Sequence, residues 1–356
     1  MEIVSRNLPL VSAIINTYNY GKFIEATIES VLVQTLPKEE REIIVVDDGS
    51  TDDTSARVKR YKDAIKYIYK TNGGQASALN SGFENARGKI IAFLDGDDTW
   101  HPRKLEYVVE EFEKSESVDV VYHYMNIVNN RGEVIRTLPD EKLDEGICCF
   151  ERFPLKSYLK GSLPFGTNTS GITVRGDCLK KLYPIPLEFR IGADSYLMAI
   201  LPFYAREFVF IRKSLGNYIL HGTNQYGTTE LTPQKIAAII KLNSMVCRYI
   251  YQEGQRFGYD YSGIKKRMDS VLKEYEILLY NLRGEKLNAL KNAVFFTNPM
   301  WEINLLYKIY NKMLMLASII LSYKNYQQIR EKYKDRKFFK IIKRIFKGSF
   351  KKTVCH

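Results

Sequence analysis

The sequence predicts an α/β fold built on a mostly parallel sheet, followed by an α-helical C-terminal region. Three observations point that way. Over roughly the first 120 residues, short runs of β-forming apolar residues alternate with segments whose apolar positions repeat at helical spacing. The connections between them are short, as expected for parallel strands joined by right-handed crossover helices. Beyond residue 230 the strand pattern stops and helical periodicity alone continues.

Taken in order, Leu10–Asn16 reads as a strand, Lys22–Gln34 as an amphipathic helix, Glu42–Asp47 as a second strand, Asp53–Tyr61 as a helix and Ile65–Lys70 as a third strand. Gln75–Ala86 is a helix leading into the strand Ile90–Leu94, whose unbroken apolar run reads as a strand covered on both faces. Pro102–Lys114 is a further helix and Val118–Tyr122 a fifth strand. Asn126–Thr137, with N-N-R-G at its centre, reads as a β-hairpin. Asp140–Pro164 is an aromatic-rich segment without clear period. Gly171–Val174 is a short strand, and an apolar helix starts near Asp194. Thr232-Pro233 opens another helix, with Ile236, Ile239, Ile240, Cys247 and Ile250 near helical spacing. Val271–Leu282, Leu287–Phe296 and Ile303–Tyr323 read likewise, so the expected domains are 1–228 and 229–356.

Composition limits the function classes. With 45% hydrophobic and 26% charged residues over 356 positions, the chain is that of a folded protein. The net charge of +12 raises nucleic acid, membrane surface or anionic substrates as partners. Between Glu331 and Lys352, however, ten Lys/Arg face two Asp/Glu, a surplus of +8 that leaves +4 for the rest. A nucleic-acid-binding chain would line a groove with its charge and interleave aromatics. Here the surplus sits in one tail, where Phe338, Ile341, Ile342 and Ile345 share a face, so no nucleic acid partner is expected. That pattern suits an anionic membrane surface, or else a helix docked on the protein with a solvated basic face. The N-terminus has no apolar signal core, and the longest apolar run, Met313–Leu321, is too short to span a bilayer. The five cysteines lack metal-ligand spacing and suit a reducing compartment. The expectation is a cytoplasmic protein, peripheral at the inner membrane face.

Ligands bind α/β sheets outside the carboxyl ends of the strands. Polar and acidic residues cluster there four times: Asn16-Thr17-Tyr18-Asn19-Tyr20-Gly21, Asp47-Asp48-Gly49-Ser50, Thr71-Asn72-Gly73-Gly74 and Asp95-Gly96-Asp97-Asp98. Each could be a plain turn. Asp95 and Asp97 alternate along extended chain and can converge, which is tolerable where a divalent cation sits between them. The alternative is a solvated turn in which Asp98 caps the helix that Pro102 opens. Neither G-x-G-x-x-G nor a P-loop follows any strand, so phosphates would need another counter-charge.

The ordered set resembles the family 2 glycosyltransferases of the GT-A fold, a nucleotide-diphospho-sugar transferase fold with a Rossmann-like sheet. It comprises V-S-A-I-I-N-T-Y-N-Y-G (11–21), E-I-I-V-V-D-D-G-S-T-D-D-T (42–54), N-G-G-Q-A-S-A-L-N-S-G (72–82) and F-L-D-G-D-D (93–98), the last matching the family's D-x-D motif. The resemblance covers roughly residues 9–225. It implies an inverting, metal-dependent hexosyl transfer from a nucleoside-diphosphate sugar, most simply a UDP-sugar, to a hydroxyl of a glycan or lipid-linked acceptor in surface polysaccharide or glycoconjugate synthesis.

By position, Tyr18 would stack on the base, Asp48 would accept a base N–H, and Asp95 would hold the ribose and share the metal. Asp97 would be the main ligand of Mn²⁺ or Mg²⁺. Asn16 stands where the family commonly has Thr or Ser. Asp47 reads better as a sheet brace. Asp194 matches the family's base, which takes the acceptor's proton; as a plain residue it could be a helix N-cap. His221 matches a His near the diphosphate or metal, though a lone His is often structural. Ile219 replaces a frequent Arg. A sugar-nucleotide-binding protein without activity would keep Asp48 and Tyr18 but lose the metal pair or base, and both are present.

Overall fold

The computed structural model describes residues 8–129, 131–138, 150–153, 167–222, 224 and 232–296, with 312, 315, 316, 319 and 320. The alternation is present: β1 (Val11–Thr17), α1 (Ile24–Leu32), β2 (Arg41–Asp47), α2 (Thr54–Val58), β3 (Lys66–Tyr69), α3 (Gln75–Glu84) and β4 (Ile90–Asp95). A short β5 (Thr99–Trp100) and α4 (Lys104–Lys114) follow. α2 is shorter than expected, because the chain tightens into a 3-10 segment over Lys59–Ala64. Next come β6 (Val118–Val128), β7 (Val134–Leu138), β8 (Phe150–Phe153), β9 (Ile172–Arg175), α5 (Gly176–Lys180), α6 (Ala193–Tyr204) and β10 (Glu207–Ile219).

These strands form one mixed sheet in the order β3-β2-β1-β4-β9-β6-β10-β5, with β7 on β6 and β8 on β10. β1 pairs in parallel with β2 and β4, and β2 with β3. β9 runs antiparallel between β4 and β6. The fifth strand of the sequence reading therefore does not adjoin β4. A four-residue apolar run carries no sign of its direction, which the connections decide. The expected fifth strand and the first arm of the expected hairpin are one 11-residue strand, β6, paired antiparallel with β7. The turn between them is held by Asn129 Oδ1, which accepts Arg131 N and Glu133 N at 2.9 and 3.0 Å, with Gly132 at φ 77°.

Alternate residues of the central strands serve opposite faces. Val11, Ala13, Ile15, Ile43 and Val45 join Ile24, Ile28 and Val31 of α1, while Ile44 and Val46 pack with Ala78 of α3. Full burial of Ile24 or Ile28 contributes about 1.5–3 kcal/mol each. α3 lies so close to β1 that a Cβ on Gly82 would meet Ile14 Cγ2 at 2.3 Å. Both faces are thus covered, which leaves the strand ends as the open edge.

The chain divides into two compact units, residues 1–230 with 244–265, and residues 231–243 with 266–356. The helices α7 (Pro233–Phe257), α8 (Ser262–Leu282) and α9 (Lys286–Phe295) follow the first unit's sheet. α7 opens at Thr232-Pro233, with Thr232 Oγ1 accepting Lys235 N at 3.3 Å. Ile277, Ala289, Ala293, Phe296 and Ile319 form a small core in the second unit. Among the described residues no helix is long and apolar enough to cross a membrane. Most of Asp140–Pro164, most of Ile303–Tyr323 and the tail 331–352 lie outside the described residues.

Candidate functional site

β1, β2 and β4 end side by side: Asn16 is in register with Val46 on one side and Asp95 on the other, and Thr17 with Asp47. Their loops share one edge and interlock. Asn19, at φ 57°, accepts Thr51 N through Oδ1 at 2.8 Å and donates its own N–H to Ser50 Oγ at 2.8 Å. Asp47 is buried, accepting Ser50 N and the Tyr67 hydroxyl at 2.8 Å each, which is a brace across β2 and β3.

With β7, Asn168-Thr169 and the start of α6, these loops enclose a cleft of about 660 Å³. Asn16, Tyr18, Asp48, Asp95, Asp97 and Asp194 all line it. His221 is joined to it through Asp97, whose Oδ2 lies 2.9 Å from His221 Nε2. The structure thus brings together all seven residues singled out in the sequence.

Each is placed by identifiable contacts. Asp48 is buried and paired with Lys70 at 2.8 Å, and it also accepts Gly73 N and Gly74 N. Gly73 N is shared between the two oxygens, at 2.9 and 3.1 Å, so three donors make four contacts with the carboxylate. The Lys70 partner was not read from the sequence. His221 stacks on Phe23, with ring centroids 4.4 Å apart and planes at 23°, and its Nε2 lies 3.1 Å from Asn224 Nδ2. Tyr20 meets the same imidazole edge-on at 5.8 Å, and burial, then Asp97 and Asp95, push its hydroxyl far above its ordinary range.

Asp98 does not cap a helix. α4 begins at Lys104 behind Arg103 with no side-chain cap, whereas Asp98 is buried and accepts Asn168 Nδ2 at 2.8 Å, Ser170 Oγ at 2.6 Å and Ile219 N at 3.3 Å. Nor is Asp194 an N-cap. Gly192, at φ 77°, takes that place, and Asp194 sits one residue into α6 with its Oδ1 accepting Ser195 N at 2.7 Å. The N–H groups of Gly192 and Ala193 are met instead by Gln75 Oε1, at 3.0 Å each.

The acidic residues strain one another electrostatically. Burial, then the charges of Asp97 and Asp194, push the Asp95 carboxyl well above the usual carboxylate range. Burial, then Asp97 and Asp95, do the same to Asp98. Burial raises Asp194 against the opposing hydrogen bonds from Ser195. Such a cluster favours protons or a cation. Among the described residues no group of three His, Cys, Asp or Glu side chains is arranged to hold an ion by itself. The cations lining the cleft are Arg136 and Arg190, the latter donating to Asn72 Oδ1 at 2.6 Å. Asn16 Oδ1, Thr17 Oγ1 and Asn168 Oδ1 are buried and meet no hydrogen-bond partner among the described residues, and all three residues line the cleft. Buried polar atoms are rarely left so, and water or a ligand in the cleft would meet these three.

Gln75, Phe23, Asn224, Arg136 and Arg190 escaped the sequence reading; the partners of Gln75, Phe23 and Arg190 lie on distant segments. Gln75 falls inside the quoted N-G-G-Q-A run, which drew notice to the run but not to that residue.

Residues 12–169 match the model of glycosyl transferase family 2. A protein of Nostoc sp. named an uncharacterized glycosyltransferase is 32% identical over 254 residues, covering 68% of this chain and 76% of that protein. Escherichia coli chondroitin synthase is 32% identical over 230 residues, 62% of this chain but 30% of that enzyme. A Rickettsia prowazekii glycosyltransferase is 38% identical over 149 residues, and this chain spans 46% of its length. Among solved structures, S. aureus TarS 1–349 in complex with UDP-GlcNAc superposes with a TM-score of 0.59 at 20% identity, over 86% of this chain and 90% of that one. That similarity concerns the fold alone. The Nostoc relative and the family match establish that the chain belongs to glycosyltransferase family 2 and is a glycosyltransferase.

Proposed function

We propose that the chain transfers a sugar from a UDP-sugar to a hydroxyl of a glycan or lipid-linked acceptor, by single displacement with inversion, in surface polysaccharide or glycoconjugate synthesis. The observation that carries this reading is the convergence of Asp48, Asp95, Asp97 and Asp194 on one cleft whose wall also holds three polar atoms unpartnered among the described residues. The choice of UDP draws support from the TarS structures, which by name contain UDP-GlcNAc or UDP.

Mn²⁺ or Mg²⁺ is the proposed cofactor, and the residues fit it. The donor chemistry suits a hard cation: the Asp95 and Asp97 carboxylates line the cleft, and His221 Nε2 is hydrogen-bonded to Asp97 Oδ2 at 2.9 Å. Such ions take one or two carboxylates and complete their shell with substrate phosphates, so a full protein cage is not required. Asp97, Asp95 and His221 would hold the ion. When bound, it would offset the negative charge gathering on the departing diphosphate.

The chain's own residues account for the remaining steps. Tyr18, 43% exposed at the cleft, offers a face for the base, and Asp48, whose Oδ2 meets the shared Gly73 N at 3.1 Å, accepts a base N–H in place of that longer contact. Asn16 Oδ1, beside Asp95, is available to a donor hydroxyl or N–H. Asp95 holds the ribose hydroxyls. Arg136 and Arg190 supply the cationic contact that Ile219 cannot make. Asp194 removes the proton from the acceptor hydroxyl as it attacks the anomeric carbon, and its raised basicity suits that task. The basic tail would hold the chain at an anionic inner leaflet, close to a lipid-linked acceptor.

Incubating the chain with UDP-, GDP- and dTDP-sugars and Mn²⁺ tests the donor. Release of UDP from one of the first group is expected; turnover of GDP- or dTDP-sugars instead would overturn the nucleotide assignment.

A further inference from the structure

We propose that Gln75 is a positioning residue that clamps the base-bearing start of α6 to the acidic end of β4; this rests on Asp194 being the base. The Gln75 carboxamide is fully used. Its Nε2 donates to Asp95 Oδ1 at 3.1 Å and to Thr169 Oγ1 at 2.9 Å, while its Oε1 accepts Gly192 N and Ala193 N at 3.0 Å each. A carboxamide has two donor hydrogens and two acceptor lone pairs, so none is spare, and turning the amide over would set N–H against N–H.

The first N–H groups of a helix have no partner within it, and the residue before the helix commonly supplies one from its side chain. At α6 that residue is Gly192, which has no side chain. Gln75, 117 residues earlier, takes over the task. The start of α3 is met in return by the α6 approach: Gln75 N donates to Arg190 O at 2.8 Å and Ala76 N to Phe189 O at 3.2 Å. The two backbones come so close that a Cβ on Gly74, itself at φ 89°, would meet Arg190 Cα at 2.5 Å. Each helix start thus caps the other, and Asp194 lies one residue into the clamped turn. A base acts only within hydrogen-bond reach of its proton, and a displacement of about 1 Å costs roughly 10²-fold in rate.

Gln75→Ala removes all four side-chain bonds. With the UDP-sugar that the unaltered chain turns over, kcat is expected to fall about 10²-fold. Affinity for UDP with Mn²⁺, measured by calorimetry, should change less than about tenfold, because the base does not touch the nucleotide. Gln75→Glu should show a different split: it keeps both bonds to α6 but sets a carboxylate beside Asp95, so kcat falls less than in Gln75→Ala while UDP binding weakens more. In an Asp194→Asn background Gln75→Ala should lower kcat less than about threefold further, since the two act as one unit. Additive losses in the double variant, or weakened UDP binding with kcat retained in Gln75→Ala, would overturn the proposal. If Gln75→Ala fails to fold, Gln75→Glu decides alone: kcat lost with UDP affinity kept refutes the clamp. Near-normal turnover by Asp194→Asn with Gln75→Ala still impaired would sink the base assignment, leaving the clamp to be judged by the two Gln75 variants.

Discussion

Replacing Asp194 by Asn separates its proposed chemistry from its structural part. The Asn side chain keeps the volume and the Oδ1 that accepts Ser195 N at 2.7 Å, and the cap of α6 through Gly192 and Gln75 is untouched. The structural cost should stay below about 1 kcal/mol. An opposite effect grows with pH. Burial lifts the folded-state pKa of Asp194 above its ordinary value of 3.8. Below that value the group is neutral whether folded or not and carries no penalty; as pH rises through the raised pKa, ionisation favours the unfolded chain. The Asn variant escapes this, so its Tm relative to the unaltered chain should climb from pH about 4 upward. Turnover should move the other way, with kcat falling by about 10²–10⁴, or roughly 3–5 kcal/mol of barrier. The acid limb of kcat in the unaltered chain should lie above the ordinary carboxylate range and vanish in the variant. Nucleotide release gives kcat, and a melting series from pH 4 to 8 gives the stability. Near-normal turnover by a folded Asp194→Asn would refute the reasoning.

Two further outcomes follow from the packing and the tail. Gly82→Ala places a methyl group 2.3 Å from Ile14 Cγ2 between α3 and β1, so overpacking should cost about 1–3 kcal/mol, visible as a Tm lowered by several degrees; an unchanged Tm would contradict the close approach. Deleting residues 331–356 removes ten cations, each contributing about 1 kcal/mol near an anionic surface, together with the apolar residues Phe338, Ile341, Ile342 and Ile345. The truncated chain should leave anionic vesicles yet still hydrolyse the sugar nucleotide. Equal co-sedimentation of both chains would exclude the membrane role.

What the sequence disclosed was local. β1, β2 and β4 are short apolar runs buried on both faces, so period, length and the polar residues that stop them sufficed to place Asn16, Tyr18, Asp48, Asp95 and Asp97 on one edge. What escaped was decided by partners far along the chain. Nothing within Ile172–Arg175 states that it runs antiparallel between β4 and β6. Asp98 sits in a D-G-D-D run that reads equally well as a solvated turn, and the groups that bond it, Asn168, Ser170 and Ile219 N, come some 70 or more positions later. Gln75 opens a helix, where a polar residue is ordinarily solvated; its partners are Asp95, Thr169 and the backbone at 192–193. Lys70 follows the edge strand β3, and it meets Asp48 because β2 and β3 pair in parallel with Asp47 in register with Tyr69.

The central claim is that the acidic cleft at the ends of β1, β2 and β4 binds a sugar nucleotide through a divalent cation and transfers its sugar. The most direct measurement is UDP release from a UDP-sugar with Mn²⁺, compared among the unaltered chain, the same chain in EDTA, and Asp97→Ala shown by circular dichroism to be folded. The account predicts turnover in the first, its loss in EDTA with recovery on adding Mn²⁺, and its loss in Asp97→Ala. Full turnover in EDTA, or in the folded Asp97→Ala chain, would contradict it.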